Sequence, residues 1–255
     1  MLKKLIKYDL IWINKFMLIY YSITLIVCLF TRFLSLIDNN AFIHIIYLIM
    51  RGVSISAYVS CIINSVIRIW VRFRNNTYKD ESYLTNTLPA PKTTLFNSKM
   101  LSGLISIIIA LFVVIIGFII AFLNQDLIDY IKLIFSNNLF IFVSIIITAC
   151  LEIIYMLGCG VLGILIGHRS NNNRVLKSVI LGIILYFTIQ TIIMLIIYLM
   201  GQFDNSLNVL FNNSQIEDVD NIKKLIIISD FIYIVFISVI YLIGRKIFLK
   251  GINVE

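Results

Sequence analysis

Among the ionisable side chains inside the long apolar runs of this 255-residue chain are Arg51, Glu152 and Asp230. Each costs about 3 kcal/mol or more in hydrocarbon unless it is paired or hydrated. Counted as helix from the ends of their runs that carry few basic residues, they lie about 15, 20 and 10 Å deep. One cation and two acids at similar depth can form a buried ion pair that fixes helix packing, and Arg51 is expected to pair with Glu152 or Asp230. The same three residues can instead line a polar path for a substrate or an ion, and the sequence leaves both readings open.

Other chemistries lack materials. The two histidines, His44 and His168, fall on opposite sides of the apolar runs, so neither a histidine metal site nor a Ser/His/Asp relay can be assembled. Cys28, Cys61, Cys150 and Cys159 all lie within apolar runs and read as small apolar filler rather than a disulfide framework. The string GCGVLG matches G-x-G-x-x-G, but it sits inside an apolar helix with no strand before it and binds no dinucleotide. Gly160, Gly163 and Gly167 read instead as a helix-packing seam, because small residues let helices approach closely in a bilayer. None of the eleven glycines is followed by lysine, which excludes a P-loop.

Stepping up to the elements, 60% of residues are apolar, 13% are charged and the mean hydropathy is +1.00. The expected fold is an all-α integral membrane protein in a single domain over 1–255, with spans near 17–37, 41–72, 98–123, 138–167, 177–201 and 223–249. The N-terminus, residues 68–99, the 168–177 loop and the C-terminus together hold sixteen Lys and Arg, against three in the opposite loops. The positive-inside bias therefore places both termini in the cytoplasm. It also accounts for the net charge of +8 without any nucleic acid, through attraction to anionic membrane lipid.

The opening MLKKLIKYDLIWINKF groups Lys3, Lys4 and Lys7 opposite Leu2, Leu5, Ile6 and Ile13, and residues 1–16 are predicted to form an amphipathic interfacial helix. The second apolar run is too long for the membrane alone and is predicted to continue into the cytoplasm. It leads to YKDESYLTNTLPAPKTTLFNSK (78–99), the longest polar interval and the site of both prolines. Tyr78–Asn86 can form a short helix with Thr77 as its cap, Pro89 and Pro91 then stop it, and Thr93 or Thr94 can cap the next span. Residues 73–97 thus read as a rigid cytoplasmic knob, and 202–222 as an extracellular loop.

This layout resembles the ABC type-2 transporter permeases, the ABCG-like exporter architecture, in the form found in Gram-positive peptide and antibiotic exporters. The architectural resemblance covers nearly the whole chain; the motif is confined to Lys79–Lys99, where Glu81, Tyr83, Leu84, Thr87, Leu88, Pro89, Ser98 and Lys99 match and Ser82 replaces the usual Gly. The resemblance implies that the knob is a coupling helix, with Tyr78, Asp80, Glu81, Ser82, Tyr83, Leu84, Thr87 and Leu88 docking on a separate ATPase subunit. It further implies a second permease chain, identical or paralogous, ATP and Mg on the partner ATPase only, no enzymatic chemistry in this chain, and a bacterial plasma-membrane location. Export of amphipathic peptides, such as antimicrobial or toxin peptides, is the function it suggests. The rival is an ion-coupled secondary transporter using Arg51, Glu152 and Asp230, which lacks the paired broken helices of such proteins. A subunit that works without ATP, for immunity or scaffolding, is a third possibility.

Overall fold

No glycine or proline interrupts residues 1–36, and sharp kinks in a helix need such a breaker. In the computed structural model these residues accordingly form one helix, α1 (Leu2–Leu36). The amphipathic stretch and the first span are therefore one continuous rod, where the sequence reading separates an interfacial helix from a span. α2 (Ala41–Tyr78) follows, then the short α3 (Glu81–Thr87), α4 (Lys92–Phe122), α5 (Leu139–Gly167), α6 (Arg174–Phe203) and α7 (Val219–Leu249). The structure describes residues 1–37, 40–79, 81–123, 128–129, 132, 139–170, 172–203 and 219–250, and none of these is in a strand. Six of the helices are long and apolar enough to cross a membrane, which makes this a multi-pass helical membrane protein. Most of the loop read at 202–222 lies outside the described residues.

Two boundaries near the knob differ from the sequence reading. Thr77 does not cap a helix: its hydroxyl donates to the Phe73 carbonyl one turn back (2.6 Å), and α2 runs on through Tyr78. The short helix therefore starts at Glu81. Thr93 and Thr94 do not cap the next span either. Pro91 takes the cap position with φ −60° and ψ 138°, so α4 begins at Lys92 and both threonines lie inside its first turn.

The chain divides into two compact units, residues 1–131 and 132–253. In the first, α1, α2 and α4 pack against one another and α3 leans on α2. Each helix contributes a narrow stripe: Ile13, Met17, Tyr21, Thr24, Cys28 and Thr31 from α1, and Tyr47, Ser54, Tyr58, Cys61, Ser65 and Phe73 among others from α2. The α4 stripe is mostly small, with Ser102, Ser106, Ala110, Gly117 and Ala121. Small and hydroxyl-bearing residues suit a bilayer, where van der Waals contact and interhelical hydrogen bonds drive packing. The Thr31 and Ser54 hydroxyls meet at 2.7 Å, and Cys28 Sγ lies 3.2 Å from the Tyr58 hydroxyl. Gly117 makes room for that second pair, since a Cβ there would stand 3.0 Å from the Cys28 sulfur.

Length adds a second feature. At 1.5 Å per residue α1, α2 and α4 span about 52, 57 and 46 Å, against a hydrocarbon core of about 30 Å. The basic ends of the three, with Asp9 of α1, Arg72 of α2 and Lys99 of α4, come together as a stem that carries α3.

In the second unit α5 is central, with α6 and α7 on either side of it. Tyr155, Cys159 and Leu162 of α5, Ile193 of α6, and Ile232, Tyr233 and Ile240 of α7 form its core.

Candidate functional site

Arg72 stands near the basic end of α2, on the face turned toward α1 and α3. Its Nε donates to Asp9 Oδ1 of α1 at 2.8 Å, and its Nη1 donates to Glu81 Oε2 of α3 at 2.6 Å. Asn76, one turn on, donates to the same Asp9 oxygen at 3.1 Å. The guanidinium also lies over the Trp12 ring, 5.1 Å from its centroid, while Arg68 one turn earlier lies 4.2 Å over Phe16. Each contact is of a kind that strengthens away from water: charge-assisted hydrogen bonds and cation–π stacking. Water is largely excluded, with side-chain exposures of 7% for Asp9 and 15% for Arg72. From α4 the buried Lys99 sits in the field of Asp9, Arg72 and Glu81. Two acids and two bases thus gather at the base of the knob, and Arg72 ties α2 to both α1 and α3.

The knob residues divide by direction. Glu81 is engaged with Arg72, and Ser82 is turned inward, buried, with its backbone N–H bonded to the Lys79 carbonyl. Ser82 therefore faces the stem, whereas the Glu81 side chain keeps 42% exposure beside its bond to Arg72. Tyr83 is 72% exposed, and Thr87 and Leu88 are exposed beside it. Tyr78 belongs to the last turn of α2 rather than to the knob. Asp80 lies outside the described residues, and of Leu84 only the backbone, in α3, is described.

The three intramembrane ionisable residues fall in different units, Arg51 in the first and the two acids in the second. Within its own unit each has partners. The Arg51 guanidinium reaches over the Tyr47 and Phe122 rings at 5.5 and 5.2 Å; Phe122 is the last residue of α4, so the long side chain carries its charge toward the helix ends. Glu152 accepts from the Tyr186 hydroxyl of α6 (3.0 Å), and Asp230 of α7 accepts from the Thr148 hydroxyl of α5 (2.6 Å). Around Glu152 the rings of Tyr155, Tyr186 and Tyr233 gather, with Tyr155 at 5.5 and 5.7 Å from the other two.

Gly160, Gly163 and Gly167 lie where α5 meets α6. A Cβ on Gly163 would stand 2.7 Å from the Gly182 backbone, and one on Gly167 would stand 2.5 Å from the Ser178 backbone. Gly160 Cα faces Gly182, 3.6 Å from where a Cβ on that residue would lie. His168 closes the same end, its Nδ1 2.9 Å from the Ser178 hydroxyl.

Sequence reasoning missed Asp9, Arg72 and Asn76 as a group. One signal was present: Asp9 falls at i+4 from Leu5 and i−4 from Ile13, on the apolar face of the opening helix, where a lone acid needs a partner. No protein-family model, no curated protein and no solved structure matches this chain.

Proposed function

We propose that the chain is the transmembrane permease subunit of an ATP-driven exporter of the ABC type-2 kind. The observation that carries this reading is the stem: three helices, each longer than a membrane crossing needs, meet at their basic ends and hold a short helix there, with Tyr83 exposed at 72%. An exposed aromatic on a rigid, charge-anchored helix is the kind of residue that anchors a protein contact. The basic bias makes this end cytoplasmic. A separate ATPase subunit docks on α3 through Tyr83, Thr87 and Leu88, binds ATP and Mg, and pushes on the stem when it closes. α1 and α2 carry that motion into the membrane, and a second permease chain completes the pathway. The chain itself hydrolyses nothing. Amphipathic peptides are the proposed cargo, moved out of a bacterial cell or its plasma membrane past a largely apolar interior.

The test is purification in mild detergent from the native host. An ATPase subunit in near-equal amount, lost on Tyr83→Ala while the permease still inserts, supports the reading. A wild-type chain that purifies alone and transports in response to a proton gradient refutes it. That outcome would assign transport to Glu152 and Asp230, which take their hydrogen bonds from Tyr186 and Thr148 hydroxyls.

A further inference from the structure

We infer that Asp9 is a positioning residue for α3, acting through Arg72, and that Glu81 is one arm of this clasp rather than a contact for a partner. The docking consequence rests on the proposed function; the clasp itself does not.

The two arms are unequal. Asp9 is shielded (side-chain exposure 7%) and holds Arg72 through Nε, with Asn76 donating to the same oxygen and Trp12 under the guanidinium. Glu81 is the open arm, with side-chain exposure of 42%. An ion pair in a dry setting is held firmly, whereas one in contact with water is screened and exchanges easily. The guanidinium is therefore fixed from the α1 side and offered to α3 as a preset fork. A long arginine side chain without that anchor samples many rotamers, and Glu81 would then have to order it alone. Lys99 adds a reason for the arrangement: it lies in the field of Asp9, Arg72 and Glu81, so neutralising Asp9 would leave two cations with the half-exposed Glu81 as the acid they share. The path from knob to membrane thus runs from Glu81 to Arg72 and then divides, into α1 through Asp9 and into α2 through the Arg72 backbone. α1 continues unbroken to Leu36, so the clasp ties α3 to a helix that runs the length of the unit.

The experiment uses the full chain in lipid nanodiscs, with Cys150→Ala and a nitroxide label at Tyr83→Cys, and a second preparation labelled at Phe42→Cys at the far end of α2. Asp9→Asn, and separately Arg72→Lys, are expected to shorten the rotational correlation time at residue 83 as much as Glu81→Gln does. Both should leave residue 42 unchanged. Arg72→Lys keeps the charge but loses the fork, and so serves if Asp9→Asn inserts poorly. Combining Asp9→Asn with Glu81→Gln should add nothing to either alone, because both act through one guanidinium. Wild-type motion at residue 83 in Asp9→Asn, additive effects in the double variant, or loosening at both labelled positions would each overturn the inference. In the co-purified complex Asp9→Asn should lower cargo-stimulated ATP hydrolysis as far as Glu81→Gln. If no ATPase accompanies the wild-type chain, the exporter reading fails, and the label data still decide the clasp.

Discussion

Asp9 and Arg72 are separated by 63 positions in sequence, and no spacing rule connects them. Their pairing follows from the antiparallel run of α1 beside α2, which brings the first turns of one against the last turns of the other. Removing one member of a dry ion pair is more damaging than removing both, because the survivor keeps its desolvation cost. Arg72→Ala is therefore expected to destabilise the chain by about 3–5 kcal/mol, and Arg72→Ala with Asp9→Ala by less than Arg72→Ala alone. Thermal unfolding of the purified variants in detergent reads the difference; equal or larger loss in the double variant would mean that the pair is not what holds this end together. Glu81 and Lys99 were visible in the sequence as members of a polar motif, but their role was not. A carboxylate on a predicted surface helix reads as a docking group, and the structure adds a guanidinium 2.6 Å away while leaving the side chain 42% exposed.

At the scale of the element, the spacing of small residues in α5 showed which stretch could approach another helix, though not which helix it meets. The structure places Gly163 and Gly167 against the backbone of α6, and it makes the tolerances unequal. Gly163→Ala would drive a methyl to 2.7 Å from the Gly182 Cα, while a Cβ on Gly182 meets nothing closer than 3.6 Å. The first substitution should cost about 1–3 kcal/mol through overpacking, and Gly182→Ala should be accommodated. Matching losses, read from the unfolding temperatures of the two variants, would place the close approach elsewhere. α1 gives a second contrast. Lys15 is exposed and lies mid-helix, at the junction where the sequence reading ends an interfacial helix. Lys15→Pro should cost about 3 kcal/mol in a continuous helix and very little at a hinge. A variant as stable as wild type would restore the two-helix reading. The continuity was legible in the absence of any breaker from 1 to 36; amphipathicity drew attention to the change of surface at residue 16, which alters the solvent and not the backbone.

For the whole molecule, six apolar helices follow from hydropathy and length, because bilayer thickness fixes how much apolar helix a span needs. Six crossings would bring both termini to one side, and the basic bias is the ground for proposing that this side is the cytoplasm. Reporter fusions or membrane-impermeant labels at the two termini should therefore respond alike, protected in intact cells and accessible once the membrane is opened; opposite responses would mean that one of the six does not cross. α6 is the least covered of the six long helices, with 6% of its most apolar stretch buried within the chain, which leaves a broad face for lipid or for the proposed second permease chain.

The sequence by itself determined the class of protein, the number and approximate limits of its spans, the proline-stopped knob and the close-packing glycines. Each of these depends on local composition or on the period of one helix, and both are written along the chain. Only the tertiary structure decided that Asp9, Arg72, Asn76, Glu81 and Lys99 meet, that Ser82 turns inward while Tyr83 turns out, and that Arg51 reaches to the rings of Tyr47 and Phe122. Those outcomes depend on the rotation and axial offset of one helix against another. Such offsets are set by the fit of many side chains at once, and no single residue type announces them.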